Sequence, residues 1–575
     1  MGKRVVIIGG VVAGPKVAAK LRRLDPEATI TIVEKGKFLS YSGCGLIYYI
    51  GGKIKNYQEL METPEGEMQD PEFFEKFTQV KVYNQTEATR INREKKEIET
   101  RSLVTGETRI LPYDYLVLAT GARIFQPNIK AFELQQPDLE LGYMDLAHVY
   151  TMHGVEDAEA IRWTIKEKLA KKAVIVGGGS IGLEMAECLV ENGLEVTLVE
   201  MLPEILPTFL DEDIGLLIRR YCQTRGINIQ VGETIKYIEG EGGLVKRVIT
   251  DQGSYEADIV IMATGFKSNS ELAQKAGLII GKSGGIQVDT SLRTSDPNIF
   301  AAGDCIEVEN LVFGEKVYMP MGSLASKQGR VVALNICGEN EIFRGALSSM
   351  ILKFFEYTIA RSGLTVKQAK DLGYEVEYSL VPSFDKARYY PGAQQVIIKM
   401  IAEKGTKRLL GAQIIGKGDV SMSIYALAPV LHYGGRLEDL SNLDLPYSPP
   451  FSSVIDSVCV AANVLRNKLE GKLVGISPQE VERKRKQGDN FVFLDVRTPK
   501  EYLDLRIPGS TLSPLTVLSQ KLDDIPKDKE IIIFSEVGHR GYEASLILKN
   551  AGFQDVKVMD GGITCWPYEQ GRGEG

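Results

Sequence analysis

The chain of 575 residues has little histidine, tryptophan or cysteine. Its four histidines stand apart, at no spacing that gathers a metal ion, so no metal centre is expected. The seven cysteines, at 44, 188, 222, 305, 337, 459 and 565, are odd in number and include no Cys-x-x-Cys pair. That excludes the disulfide framework of a secreted domain and leaves reduced thiols. No segment is strongly basic and the net charge is -8, which removes the electrostatic footprint of a nucleic-acid binder. No apolar run approaches the roughly 18 residues that cross a bilayer. A strand begins almost at once, Arg4 to Ile8, leaving no room for a secretory leader, and a cytoplasmic location is expected. Hydrophobic residues make up 44%, ample for cores in the roughly three to five domains that this length implies.

The order of apolar runs and glycines carries the first positive signal. Arg4 to Ile8 is a nearly continuous apolar strand, followed by Gly9, Gly10 and Gly14, a helix to about Leu24, and a second strand from Thr29 to Val33 ending at Glu34. This is the start of a βαβ unit with a parallel sheet. The glycines allow a pyrophosphate close to the backbone, and the helix N-terminus offers amide donors to it. Glu34 stands about 20 residues on, where a carboxylate accepts ribose hydroxyls. The middle glycine of the motif is replaced by Val11, which weakens this match taken alone.

The pattern recurs from Ala173 to Val176, with Gly177, Gly179 and Gly182 complete and the following strand ending at Glu200. The strand, turn, helix and strand all stand in the required order. A carboxylate at Glu200 suits the free 2′-hydroxyl of NADH and repels a 2′-phosphate, which favours NADH over NADPH. Tyr115 to Gly121 and Ile259 to Gly265 are apolar strands ending in Ala-Thr-Gly, and Asn298 to Asp304 is a strand ending in Gly-Asp.

Taken together, residues 1 to 465 resemble the pyridine nucleotide-disulfide oxidoreductases. The resemblance implies an α/β fold with two Rossmann-like dinucleotide-binding domains, for FAD and NAD(P)H, and an α+β dimerisation domain that makes a homodimer. The expected domains are 1–150 and 266–340 for FAD, 151–265 for NAD(P)H, and 341–470 for dimerisation. FAD is implied at Gly9, Gly10, Gly14, Glu34, Lys35, Thr120, Gly121 and Asp304, with Asp304 on the ribityl chain. NAD(P)H is implied at Gly177, Gly179, Gly182, Glu200 and Gly265.

Members with a redox dithiol carry Cys-x-x-x-x-Cys in the first domain; this chain has the single Cys44, between Gly43 and Gly45. A lone thiol must cycle through a mixed disulfide, persulfide or sulfenic acid. To act as a thiolate at neutral pH it needs a pKa brought below about 8.5. NADH oxidases and peroxidases of the family carry a His where this chain has Val12. The chain is similar instead to coenzyme A-disulfide reductases, there and at Tyr389-Tyr390 and Tyr447, tyrosines that in that branch reach the redox cysteine from the partner subunit. Arg22 and Arg23, with Ser40, are the implied contacts to coenzyme A. Three positions depart from that branch: Gly43, Ile47 and the stretch Val454 to Ser457.

From about Ile476 the sequence resembles a rhodanese domain, expected over 471–575 with an α/β fold. Active rhodaneses carry Cys-x-x-Gly-x-Arg; here Ser535, Gly538 and Arg540 form that loop. A hydroxyl without an adjacent base cannot replace a thiolate as sulfur acceptor, so this loop is expected to be inert in sulfur transfer. Cys565 is the one alternative thiol in this part of the sequence. The expected activity is reduction of a small disulfide or sulfane-sulfur compound (CoA disulfide, CoA persulfide or polysulfide) by NADH through FAD and Cys44. An NADH oxidase using oxygen, and a sulfur-binding sensor with vestigial turnover, are the alternatives.

Overall fold

A computed structural model of the chain describes residues 2–134 and 136–572. It divides into two compact units, Met1–Met201 with Gly226–Ala346, and Leu202–Arg225 with Leu347–Gly575.

The first unit holds two parallel five-stranded sheets of the same construction. In one, strands run in the order Ile299–Ala301, Tyr115–Leu118, Arg4–Ile8, Thr29–Val33, Val80–Tyr83. In the other the order is Val149–Thr151, Ile259–Met262, Lys172–Val176, Glu195–Glu200, Asn228–Val231. Val5 to Ile8 and Val174 to Val176 are buried throughout, as strands covered on both faces must be. Helix Ala13–Leu24 packs on helix Gly322–Ile336, and Gly329 permits that approach: a Cβ there would lie 2.8 Å from the Ala13 carbonyl oxygen. Both α/β sheets are therefore present. Strand Val149–Thr151 straddles the expected 150/151 boundary and pairs wholly with the second sheet. Lys130–Glu133 likewise pairs with the Ile235–Glu241 strand of the antiparallel meander.

The second unit contains an antiparallel sheet in the order Met350–Phe354, Tyr357–Gly363, Leu409–Gly416, Gln395–Glu403, Val376–Phe384, backed by helix Ser457–Leu469. A parallel sheet follows: Gly475–Ile476, Val556–Met559, Glu530–Phe534, Phe491–Asp495, Thr511–Leu512. Its core includes Phe493, Phe534 and Trp566. Helix Glu212–Thr224, which falls inside the expected 151–265 domain by sequence, belongs to this unit. The reason is electrostatic: buried Lys399 lies 2.6 Å from Asp213 and 3.2 Å from Asp211.

The two sheets of the second unit are joined by another buried charge. Lys468, at the end of helix Ser457–Leu469, lies 3.1 Å from Asp560 and 3.2 Å from Glu377, and donates to the Tyr378 carbonyl at 2.7 Å. The Tyr378 ring has the ammonium of Lys399 at 4.5 Å and that of Lys468 at 4.7 Å. Removing one partner of such a pair leaves an uncompensated buried charge, at a cost of about 3–5 kcal/mol, whereas replacing both by apolar groups is often neutral. Lys468→Ala is therefore expected to loosen the 475–572 region, seen as faster limited proteolysis near residue 470. Lys468→Met with Asp560→Leu should restore protection. Equal protease resistance of wild type and the single variant would refute this.

Candidate active site

The two Gly-rich turns are geometric copies. Gly9 has φ 113° and Gly177 φ 108°, values open to glycine alone at low cost. A Cβ on Gly14 would stand 1.9 Å from the Gly9 carbonyl oxygen, and one on Gly182 2.0 Å from that of Gly177. In each, a carboxylate at the end of the second strand accepts from the turn: Gly10 N–H donates to Glu34 at 2.6 Å, and Gly178 N–H to Glu200 at 2.7 Å. Glu34 also accepts from Gly36 N–H, and burial raises its pKa despite these donors. Gly179 has nothing within 4 Å of a built Cβ, so space for a ligand, and not the fold, asks for glycine there.

The residues present fit FAD. Asp304 follows Gly303 (φ 85°) at the end of Ile299–Ala301, and its Oδ1 is buried without a hydrogen-bond partner. Burial raises its pKa, the Met321 amide opposing. An orphaned buried carboxylate oxygen costs free energy unless a hydroxyl fills the place, as a ribityl chain would. The buried Tyr318 hydroxyl is also unpartnered, and its pKa is raised by burial and then by Asp304. His153, which sequence reasoning passed over, lies in the field of both Glu34 and Asp304, with Nε2 2.8 Å from the Ala122 carbonyl. Thr120 ties the Ala-Thr-Gly turn to Asn269 (2.7 Å), and Gly121 and Gly265 adopt φ 66° and 90°. Lys35 is drawn to Glu87, at 3.0 Å.

Cys44 sits in a single turn, Gly43–Gly45, that leads into helix Leu46–Ile50. Of the seven cysteines it alone is exposed; Cys337 is intermediate and the rest are buried. The expected depression of its pKa is not found in the chain itself. The protein packed beneath the sulfur desolvates it, and burial, then Glu184, then Asp304, push the thiol up. Two carboxylates, Glu184 and Asp304, act against its ionisation.

The implied coenzyme A contacts separate. Arg22 donates to the carbonyls of Thr78 (2.9 Å), Pro26 (2.6 Å) and Gln79 (2.8 Å), so its guanidinium clasps the protein. Arg23 is exposed at the same helix end. Ser40 has φ 50° and its N–H donates to the Gly10 carbonyl at 2.9 Å, which holds it beside the first turn. In the second unit Tyr389 and Tyr447 come together: the Tyr447 pKa is raised chiefly by a hydrogen bond with Tyr389. Tyr389, Tyr390 and Tyr447 are all exposed.

The loop after Glu530–Phe534 keeps its shape around a serine. Ser535 Oγ accepts from the amides of Gly538 (3.1 Å) and Gly541 (3.4 Å), with Gly538 at φ 100°. Arg540 binds Glu501 through two nitrogens, at 2.8 and 2.6 Å, and this holds the Glu501 pKa at about 2. A cavity of about 500 Å³ lies alongside, with Arg220, Glu501, Glu536 and Thr564 in its lining. Cys565 is buried, and burial raises its thiol pKa far above the usual value, so it is no substitute nucleophile.

Comparison with known proteins agrees with this geometry. The pyridine nucleotide-disulphide oxidoreductase family matches residues 3–329, its dimerisation domain 349–458 and a rhodanese-like domain 477–568. The chain belongs to the pyridine nucleotide-disulphide oxidoreductases. It is an oxidoreductase with a dimerisation domain and a C-terminal rhodanese-like domain, and its family uses FAD and NAD(P)H. It is similar to a structure titled NAD-dependent persulfide reductase from A. fulgidus, at 40% identity and TM-score 0.91 over 98% of this chain and 100% of that one. It is also similar to reduced CoADR-RHD of Bacillus anthracis, at 33% identity and TM-score 0.89 over 98% of each chain. A relative from Methanocaldococcus jannaschii described as NADH oxidase is 35% identical over 82% of this chain and 100% of its own. No described helix is long and apolar enough to cross a membrane, and no described cluster of His, Cys, Asp or Glu would hold a metal ion.

Proposed function

We propose that the chain is an NADH-dependent reductase of CoA disulfide, CoA persulfide or polysulfide that works through Cys44. The observation that carries this is the one exposed cysteine, on a turn whose sulfur lies in the field of Asp304, the buried carboxylate with an orphaned oxygen. Bound FAD supplies two-electron transfer between the nicotinamide and the sulfur site. Cys44 attacks the substrate's S–S bond and holds one half as a mixed disulfide or trisulfide. The other half leaves as a thiolate or hydrosulfide. In the net reaction NADH, one proton and one disulfide give NAD⁺ and two thiols; a persulfide gives one thiol and hydrogen sulfide. The partner subunit's Tyr447 and the partner subunit's Tyr389 approach Cys44 as hydrogen-bond donors to the departing sulfur. Arg23 and Ser40 contact coenzyme A, and Ser535 leaves the rhodanese-like domain without sulfurtransferase activity of its own.

Anaerobic NADH consumption with the three sulfur substrates in parallel tests the reading. Thiol or sulfide produced in step with NADH supports it. The rival, suggested by the Methanocaldococcus jannaschii relative's description, is oxygen reduction. In the same assay run in air, NADH-dependent oxygen uptake that outruns thiol production with each of the three substrates would replace the proposal with that rival.

Cofactor choice rests on Glu200. A hydrogen bond to a charged group contributes about 1.5–3 kcal/mol, or roughly 10- to 100-fold in affinity. Glu200→Ala is expected to lower kcat/KM for NADH by about that factor and to leave NADPH no worse. An unchanged NADH-to-NADPH ratio would show that the carboxylate does not read the ribose.

A further inference from the structure

The turn that carries Cys44 is open around the thiol. Ser42, Gly43 and Cys44 are exposed, and a Cβ built on Gly43 meets no atom within 4 Å. The turn Gly43–Gly45 runs into helix Leu46–Ile50 as one helical stretch: Gly45 N–H donates to the Ser42 carbonyl at 3.0 Å, and Leu46 N–H to that of Gly43. A thiol at one end of so short a rod goes where the other end is put. Arg162, on helix Val155–Lys166, holds that other end. It donates to the carbonyls of Tyr49 at 2.7 Å and Ile54 at 3.0 Å, with its guanidinium 4.1 Å from the centre of the Tyr49 ring. The last carbonyls of a helix have no partner within it, and a cation is favoured beside them. Ile54 N–H returns to the Tyr48 carbonyl at 3.1 Å, so the loop that Arg162 fastens is already folded back on the helix. In this loop Gly52 has φ 78°, and Lys53 follows it. Lys53 Nζ lies 3.1 Å from Glu187 and 3.1 Å from Glu191. Both carboxylates stand on helix Ser180–Glu191, which opens on the second Gly-rich turn, and a Cβ on Gly51 would lie 3.5 Å from Cys188 Sγ of that helix.

Helices Val155–Lys166 and Ser180–Glu191 both connect strands of the second parallel sheet, whereas the Cys44 stretch follows the Thr29–Val33 strand of the first. Arg162 is buried, yet it forms no ion pair with a carboxylate among the described residues. Buried arginines are rare unless paired, which points to a task for the two hydrogen bonds that Arg162 does make. We infer that Arg162 and Lys53 are positioning residues for Cys44, and that the sheet built around Gly177–Gly182 fixes the place of the thiol through them. The inference rests on the proposed role of Cys44 and deepens it. Neither cation acts on the sulfur itself: Arg162 holds the end of the rod, and Lys53 holds the loop beyond it. Arg162 has the larger part. Hydrogen bonds from a buried charged group are strong, whereas an ion pair with a half-exposed lysine contributes little. A reacting group displaced by about 1 Å can lose on the order of 10²-fold in rate. Slack at residues 49–54 therefore shows as lost thiol chemistry, with electron entry from NADH unaffected.

The full-length, FAD-loaded protein offers two rates from one preparation. NADH-dependent disulfide reduction needs the thiol; NADH oxidation by an artificial electron acceptor does not. Arg162→Met is expected to lower the first about 10-fold or more and to leave the second within about twofold. Amide hydrogen exchange in that variant should quicken over residues 43–54. Lys53→Met should lower the first rate by about two- to fivefold, and Lys53→Arg, which keeps the charge, should restore it. A purely structural role would lower both rates together. Thiol-dependent turnover that is unchanged in Arg162→Met, or that falls in step with acceptor turnover, overturns the inference. If that variant loses FAD, the same two outcomes in Lys53→Met overturn it. If Cys44→Ser still turns over, the proposed function itself fails; if Cys44→Ser is dead and both Met variants match the wild type, only the positioning role fails.

Discussion

Cys44→Ser is expected to lower NADH-dependent disulfide and persulfide reduction by about 10³-fold or more while FAD stays bound. A hydroxyl differs from a thiol here in chemistry far more than in size. It cannot form the S–S bond that stores half the substrate, and with no base holding its proton it is not a nucleophile at neutral pH. The residue is exposed. Surface changes of this kind usually alter stability within about 0.5 kcal/mol. The flavin spectrum and the melting profile should therefore match those of the wild type. NADH oxidation by an artificial electron acceptor, which needs no thiol, should persist. Undiminished polysulfide reduction in this variant would remove Cys44 from the mechanism.

Ser535→Cys carries the second large expectation: sulfur transfer from thiosulfate or a persulfide donor, at background in the chain as it stands, rising by about 10²-fold or more. The loop has kept everything but the nucleophile. Two amides already point at Oγ, and Gly538 already holds the positive φ that lets them do so. Amides that donate to a hydroxyl oxygen in this way also stabilise a thiolate or a terminal persulfide sulfur, and a lowered thiol pKa is the usual result at a helix start. Mass spectrometry of the intact protein after exposure to donor, looking for one added sulfur, reads the outcome directly. A cradle that takes up no sulfur would mean that the geometry has drifted beyond use. If uptake occurs and polysulfide reduction at Cys44 also accelerates, the two centres share substrate.

Both dinucleotide turns were legible in the sequence because steric necessity wrote them there. Gly9 and Gly14, like Gly177 and Gly182, stand where a Cβ would strike a carbonyl oxygen about 2 Å away. Val11 does not spoil the first turn because its counterpart Gly179 is not demanded by packing. Asp304 and Ser535 were legible through their surrounding motifs. The hydrogen bonds of Arg22 were hidden for the converse reason: a cation at a helix end looks free until the carbonyls of Thr78, Pro26 and Gln79 close around it. The grouping of Leu202–Arg225 with the later half of the chain was also beyond sequence, since the pairing of Asp211 and Asp213 with Lys399 spans nearly 200 positions.

The Lys468 clamp gives the rhodanese-like domain a part in the fold that does not depend on its Ser535 loop. Asp560 is the countercharge of a lysine that belongs to the preceding helix, and Lys468 itself covers one approach to the Tyr378 ring. A chain shortened after residue 470 would lose the Asp560 countercharge and uncover surface that the intact chain hides. The rhodanese-like domain is in this sense a masonry element: its attachment face carries the countercharge of a lysine that stands outside it.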